Sequence, residues 1–226
     1  MRSEGERKGG GPRLAVRSGD KSAAILDAAQ KVIAREGYHS ARISHIAAEA
    51  GVATGTVYLY FRNKPDLLLS LLRSRVGRLV ANARSCLSGA ADPEEKLRRF
   101  VRQHLRSLAD KRDLAVVTQI EMRQADFRVQ RQISEVMREY FQVIDEIVAE
   151  GQAAGFIRRS VDARQIRNMI FGTLDQTVTA WVLSGFKFDL EAMADPTYEL
   201  ITRGASERNG GGVGTNGDSG AAEADV

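Results

Sequence analysis

Apolar positions along this chain recur at steps of three and four, the period of helices, and no segment shows a convincing alternation of period two. The cleanest stripe is Ile133, Val136, Met137, Tyr140, Phe141, Ile144, Ile147 and Val148, which predicts one helix of more than four turns, closed by Gly155. A first helix near Lys21 carries Ile25, Ala29, Val32 and Ile33 on one side and stops at Gly37. A short second helix bears Ile46, Ala47 and Ala50 before Gly51, and a short third holds Val57 and Phe61, four apart and so on one face. The pattern as a whole predicts an all-α fold of about nine helices.

Capping residues sharpen several boundaries. Asn63 stands as the N-cap of a leucine-rich fourth helix, with Pro65 in its first turn and Asp66 at the third helical position, and that helix runs to about Leu87. Asp92-Pro93-Glu94-Glu95 opens a fifth helix with Leu97, Phe100, Val101, Leu105 and Leu108. A sixth starts near Asp113. Asp162 with Gln165 opens an eighth carrying Ile166, Met169, Ile170, Leu174, Val178 and Trp181, and a ninth runs from about Asp189 to Arg203.

The two ends carry no such period. Residues 1–19 mix Gly, Arg and Pro, and residues 204–226 hold seven glycines in 23 positions, too little apolar surface to repay ordering. Both are expected to be disordered. The first twenty residues have no apolar centre of a secretion signal, and no apolar run nears the roughly 18 residues that span a bilayer. With Cys86 as the single cysteine there is no disulfide framework, and a reducing, cytoplasmic setting is the simplest fit. Charge changes the picture more. The net charge is +4, but residues 1–80 hold 14 Lys/Arg against 7 Asp/Glu, so the basic excess sits on the first third. That suggests a polyanionic partner for this part alone, or else a merely solvated basic face.

Enzyme chemistry finds no foothold. His39, His45 and His104 are not spaced as a metal-binding pair, Cys86 has no partner nearby, and the GGG of residues 9–11 lies in a tail. No catalytic, cofactor or metal site is expected.

The second and third helices, about two turns each and joined around Gly51-Val52-Ala53, read as a helix-turn-helix, whose second helix enters the DNA major groove. Thr54, Gly55 and Thr56 at its start offer two hydroxyls, two methyls and a close approach to base edges. Tyr58 and Tyr60 stand about 200° apart on a helix, so both cannot share a core face and one at least projects outward, able to reach phosphate. Lys64 adds charge. His45, on the DNA-facing side of the second helix, can touch phosphate too.

The run ARISHIAAEAGVATGTVYLYFRNKPDLL closely resembles the signature of the TetR family of bacterial transcription regulators. The resemblance implies Ser44, Thr54, Gly55 and Thr56 near bases, and Tyr58, Tyr60 and Lys64 on phosphates of a palindromic operator. Arg42 stands where many members have threonine, so a guanidinium makes that phosphate contact here. It also implies a domain order: residues 20–66 bind DNA, and residues 67–203 bind an effector and dimerise through the eighth and ninth helices.

LAVVTQIEMRQ, EYFQVIDEIVAEGQAAGFI and MIFGTLDQTVTAWVLSG are similar to the fatty-acid-degradation repressors of the FadR-type branch of that family. The implied function is a repressor that releases its operator on binding long-chain acyl-CoA; a TetR-type regulator of another apolar effector is the neighbouring alternative. An acyl tunnel needs apolar walls and a basic mouth. Ile120, Met122, Phe127, Phe141, Met169 and Phe171 are candidates for the walls, with Val117, Met137 and Leu174 beside them, although a buried apolar stripe is more often plain core. Arg123 is the candidate for the mouth, or else an ion-pair partner of Glu121 or Asp126. Asn168, Gly172 and Gln176, near Thr173 and Asp175, are candidates to orient a ligand or to cross the dimer interface. His104 reads as a packing residue.

Overall fold

The computed structural model describes residues 18–205, with side chains from residue 20. The expectation of disorder for the two ends falls almost wholly outside these residues. The described residues form ten α-helices: α1 Ser18–Glu36, α2 Ile43–Glu49, α3 Thr54–Tyr60, α4 Lys64–Leu87, α5 Pro93–Ala109, α6 Arg112–Gln119, α7 Phe127–Val136, α8 Arg138–Ala153, α9 Ala163–Leu183 and α10 Ala194–Ala205. Short 3-10 turns, Glu121–Gln124 and Glu191–Met193, follow α6 and precede α10.

The caps form as the residue types demand. Asn63 accepts from Asp66 N at 2.8 Å while the Asp66 carboxylate accepts from Arg62 N at 2.9 Å, a reciprocal pair that starts α4. Asp92 accepts from Glu95 N at 2.8 Å to start α5, and Asp162 accepts from Arg164 N at 2.9 Å to start α9. Gly37 and Gly51 have φ of +81° and +66°, the left-handed conformation that ends α1 and turns the chain from α2 to α3.

Two cores organise the chain. The head core gathers Ile25 and Ile33 of α1, Ile46 of α2, Val57 of α3 and Leu67, Leu68, Leu71 and Leu72 of α4. The body core gathers Leu97, Phe100 and Leu105 of α5 with Ile144, Ile170, Leu174 and Trp181. α4 serves both, since its distal Val76, Val80 and Ala83 belong to the body. The body also reaches into the head: Val117 of α6 and Val129 and Ile133 of α7 are buried among the head residues.

This sharing accounts for one departure from expectation. The single helix predicted through residues 133–148 is two, α7 and α8, separated by Met137 at φ −73°, ψ −10°. Its bonds survive on both sides, Met137 N to Ile133 O at 2.9 Å and Phe141 N to Met137 O at 3.0 Å, so the chain bends there rather than stops. Ile133 packs in the head core and Tyr140 in the body core, while Val136 and Met137 touch both. One apolar stripe thus serves two cores, and the helix is interrupted at the residue that touches both.

Candidate functional site

α2 and α3 meet through a tight turn in which Val52 N bonds Ala47 O at 2.9 Å and Gly51 N bonds Ala48 O at 3.1 Å. Val57 and Phe61 are buried, which fixes the inner face of α3 and turns the remainder outward. Thr54 and Gly55 are exposed and Thr56 is half-buried at the first turn. Tyr58 is 54% exposed, whereas Tyr60 is half-buried against the head core, so the two tyrosines do divide between solvent and packing. Arg42, at the N-cap of α2 with no side-chain capping bond, is exposed, as are Ser44 and His45. These groups lie along one two-helix edge of the head.

Side-chain contacts tie α2 back to α1. His45 Nδ1 lies 2.7 Å from Glu36 Oε2, and Arg35 also bonds Glu36 at 2.9 Å. The His45 hydrogen bond first, and the Arg35 bond second, hold the Glu36 carboxyl below the usual carboxylate range. Lys64 is placed differently from its expected outward role. Its ammonium donates to His39 O at 2.9 Å and Ala41 O at 3.0 Å and lies 4.9 Å above the Tyr38 ring, bracing the loop that leads into α2. Partial burial pulls its pKa down. An ammonium has three protons, so one remains for a further acceptor.

Adjoining the head, a partly open cavity of about 260 Å³ lies between α4, α5, the end of α6, α7, α8 and α9. Its walls are mostly apolar: Leu72, Val76 and Leu79 from α4, Ile133 and Val136 from α7, with Met122, Met137, Phe141 and Phe171. Phe141 and Phe171 meet edge to face at 4.9 Å. Polar groups interrupt this lining at defined points. Arg75 is only 6% exposed and its guanidinium bonds Gln30 at 2.8 Å and Asp27, both on α1. Arg123 pairs with Asp175 of α9 and reaches Gln119, which in turn accepts from Thr179 at 2.9 Å. The ion partner of Arg123 is therefore neither Glu121 nor Asp126.

The turn that carries Met122 and Arg123 also carries two groups that grip the head. Buried Glu121 accepts from Tyr38 N at 2.6 Å, and the Gln124 carbonyl lies 2.9 Å from His39 Nε2. Gly37, whose φ of +81° suits glycine, lies beside this carboxylate: a Cβ there would stand 3.4 Å from Glu121 Oε2, at contact distance. Cavity wall and the loop entering α2 are thus joined across one residue.

Of the expected effector residues, the cavity brings together Met122, Arg123, Phe141 and Phe171. Asn168, Met169, Gly172 and Gln176 line a separate, shallow groove on another side of α9, with Phe188 and Met193. Ile120 is half-buried and lines neither, and Phe127 is 77% exposed. Val117 and Leu174 are buried within the two cores. Sequence reasoning passed over Arg75 and Gln119 in the cavity wall and Leu59, 82% exposed on α3, and it read His104 and Tyr140, also in that wall, as packing residues. Arg75 interrupts a leucine-rich helix just as Arg123 interrupts its segment, and that signal could have found it.

Comparison with known proteins bears on both regions. Residues 25–71 match the family model described as bacterial regulatory proteins, tetR family, and residues 72–204 match the one described as YsiA-like protein, C-terminal region. The fatty acid metabolism regulator protein of Bacillus subtilis is 42% identical over 180 residues, which is 80% of this chain and 93% of the relative. The structure of the fatty acid degradation regulator FadR from Bacillus halodurans superposes with a TM-score of 0.78 at 46% identity, covering 80% of this chain and 98% of that one. FadR from Bacillus subtilis, crystallised in complex with stearoyl-CoA, superposes with a TM-score of 0.78 at 41% identity over the same shares.

Proposed function

The chain belongs to the tetR family of bacterial regulatory proteins, and on that premise we propose that it is a dimeric repressor of fatty acid degradation genes that leaves a palindromic operator when long-chain acyl-CoA binds. The head, residues 20–66, reads the operator: Ser44, Thr54, Gly55 and Thr56 meet base edges, while Arg42, His45, Tyr58, Tyr60 and Lys64 meet phosphates. Residues 67–203 take the effector and form the dimer. The protein works in the cytoplasm, on the nucleoid when bound, and needs no cofactor.

The observation that carries this reading is the direct junction between the two sites. A single 3-10 turn contributes Met122 and Arg123 to the cavity and Glu121 and Gln124 to the loop before α2. An acyl chain that displaces the turn must move the head with it. The cavity is near the small end of ligand sites, roughly 300–1,000 Å³, so a long chain has to push back its walls, and Met122 and Met137 are the adaptable side chains to yield. Arg123 is placed to meet the polar end of the ligand. The relative crystallised with stearoyl-CoA supports the ligand class.

Dimerisation through α9 and α10 is favoured by the apolar surface left there. Leu183 is 72% and Leu200 68% exposed, beside the groove of Met169, Gly172 and Ala180. Two heads held about 34 Å apart read successive major grooves. A hundredfold preference of acyl-CoA for the free form corresponds to about 2.7 kcal/mol of coupling, and operator affinity falls by the same factor.

The test is selection of operator DNA from a random pool at fixed salt, with and without stearoyl-CoA. A palindrome recovered alone and lost with stearoyl-CoA is the expected result. A palindrome indifferent to acyl-CoA keeps DNA binding and removes the effector assignment.

A further inference from the structure

Among the described residues, one buried side-chain polar atom has no hydrogen-bond partner, Nε2 of His104. His104 is 7% exposed on α5, and its ring is part of the cavity wall. The other polar side chains of that wall are engaged within the protein. Arg75 is held by Asp27 and Gln30, Gln119 by Thr179, Arg123 by Asp175, and Thr118 returns its hydroxyl to Leu114 O. Among the described residues, only His104 has a buried side-chain polar atom left without a partner.

Its other nitrogen defines what that capacity is. His104 Nδ1 lies 2.5 Å from the Tyr140 hydroxyl. Burial pushes the imidazole down to about 4, so near neutral pH the ring holds a single proton. Burial also pushes the Tyr140 hydroxyl up, so it keeps its hydrogen, and the acceptor within reach of that hydrogen is Nδ1. With Tyr140 donating to Nδ1, the ring proton resides on Nε2. Nε2–H is then a desolvated donor without an acceptor, an arrangement that interiors rarely tolerate, on a ring that forms part of the cavity wall.

We propose that His104 reads an oxygen acceptor on the effector: Nε2–H donates to it, and the cavity thereby favours an acyl chain with oxygen at that depth over plain hydrocarbon of equal length. This rests on the acyl-CoA reading and adds a specificity residue to it. The oxygen is either the thioester carbonyl or one carried along the chain, as a hydroxyl or ketone. Tyr140 is the positioning residue that fixes the tautomer.

Calorimetric titration of the full chain with three ligands separates these sources: stearoyl-CoA, its S-octadecyl thioether analogue lacking the carbonyl, and a stearoyl-CoA hydroxylated in mid-chain. The protein is expected to favour one oxygen-bearing ligand over its oxygen-free counterpart by about tenfold, the contribution of one well-made hydrogen bond. Preference for thioester over thioether assigns the carbonyl; preference for the hydroxylated over the plain chain assigns a chain oxygen. In the double variant His104→Phe with Tyr140→Phe, which removes both polar groups together, the preference vanishes while binding of the oxygen-free ligand persists. If that variant fails to fold, His104→Leu carries the same expectation. A native protein blind to oxygen in both pairs overturns the inference and leaves the acyl-CoA reading standing. So does a folded variant that keeps the preference. Binding of none of the three overturns the acyl-CoA reading and this inference with it.

Discussion

The interiors of the head and the body are built from different materials. Among the described residues, α1, α2 and α3 contribute no buried polar or charged side chain, whereas the body buries Arg75, His104, Ser107, Gln119, Glu121, Thr179 and Thr197. Five of these seven, Arg75, His104, Gln119, Glu121 and Thr179, line the cavity, bond its lining or bond the head. An all-apolar core has no alternative set of partners to exchange, which favours a head that moves as a unit. Hydrogen-bonded groups can swap one partner for another, and in the body they stand where a ligand would offer one. The difference assigns rigidity to the part that must present Thr54 to Tyr60 in fixed geometry, and adjustability to the part that must respond.

The comparison breaks most visibly if the two interiors prove independent. Ile33→Ala, in the head, is expected to cost about 2–5 kcal/mol. Because α4 belongs to both cores, urea unfolding followed by fluorescence of Trp181, the single tryptophan and a body residue, should shift with it. An unmoved Trp181 transition would mean that the head melts alone.

The next effect belongs to the body. The folded pKa of His104, about 4, lies below the unfolded 6.5. Below pH 6.5 the unfolded chain takes a proton that the folded chain refuses until pH 4. Stability is therefore lost as pH falls through that window, by about 3 kcal/mol at its end. Subtracting the pH profile of the double Phe variant at positions 104 and 140 isolates this share; identical profiles would show that His104 takes up its proton in the folded state.

Smaller effects probe the seam. Glu121→Ala leaves the Tyr38 N–H unpaired, at a cost of about 1–3 kcal/mol, and is expected to weaken the coupling between acyl-CoA and operator more than either affinity alone. Equal coupling in the variant and the parent would exclude this contact from the transmission. Smallest for stability is Tyr58→Ala, 54% exposed, within about 0.5 kcal/mol, although operator affinity should drop severalfold in a salt-matched titration.

Helix order and caps were legible because each rests on neighbours in sequence: Asn63 with Asp66, Asp92 with Glu95, glycines at 37 and 51. That at least one of Tyr58 and Tyr60 turns outward followed from helical geometry alone; that it is mainly Tyr58 did not. What failed to show was anything decided by two distant segments at once. Nothing in the 133–148 stripe says that its first turn packs on α4 of the head and its remainder on the body, so the bend at Met137 was invisible. α9 is apolar on more than one side, and periodicity cannot tell the side facing the cavity, with Phe171 and Asp175, from the side of Met169 and Gly172. His104 read as packing for the same reason: its missing partner is a property of the space around it.

The shared helix has a practical corollary for anyone building hybrids. The border between the two family models, at residues 71 and 72, cuts α4 between two leucines that are both buried in the head core. A head excised there would surrender Leu72 and also Val117, Val129 and Ile133, supplied by helices far down the chain. Grafted onto a foreign body, it would carry an open apolar wound where those side chains had been. The reading head is therefore not a cassette: a workable fusion must bring α4 past Leu72 and a body whose sixth and seventh helices present matching apolar knobs.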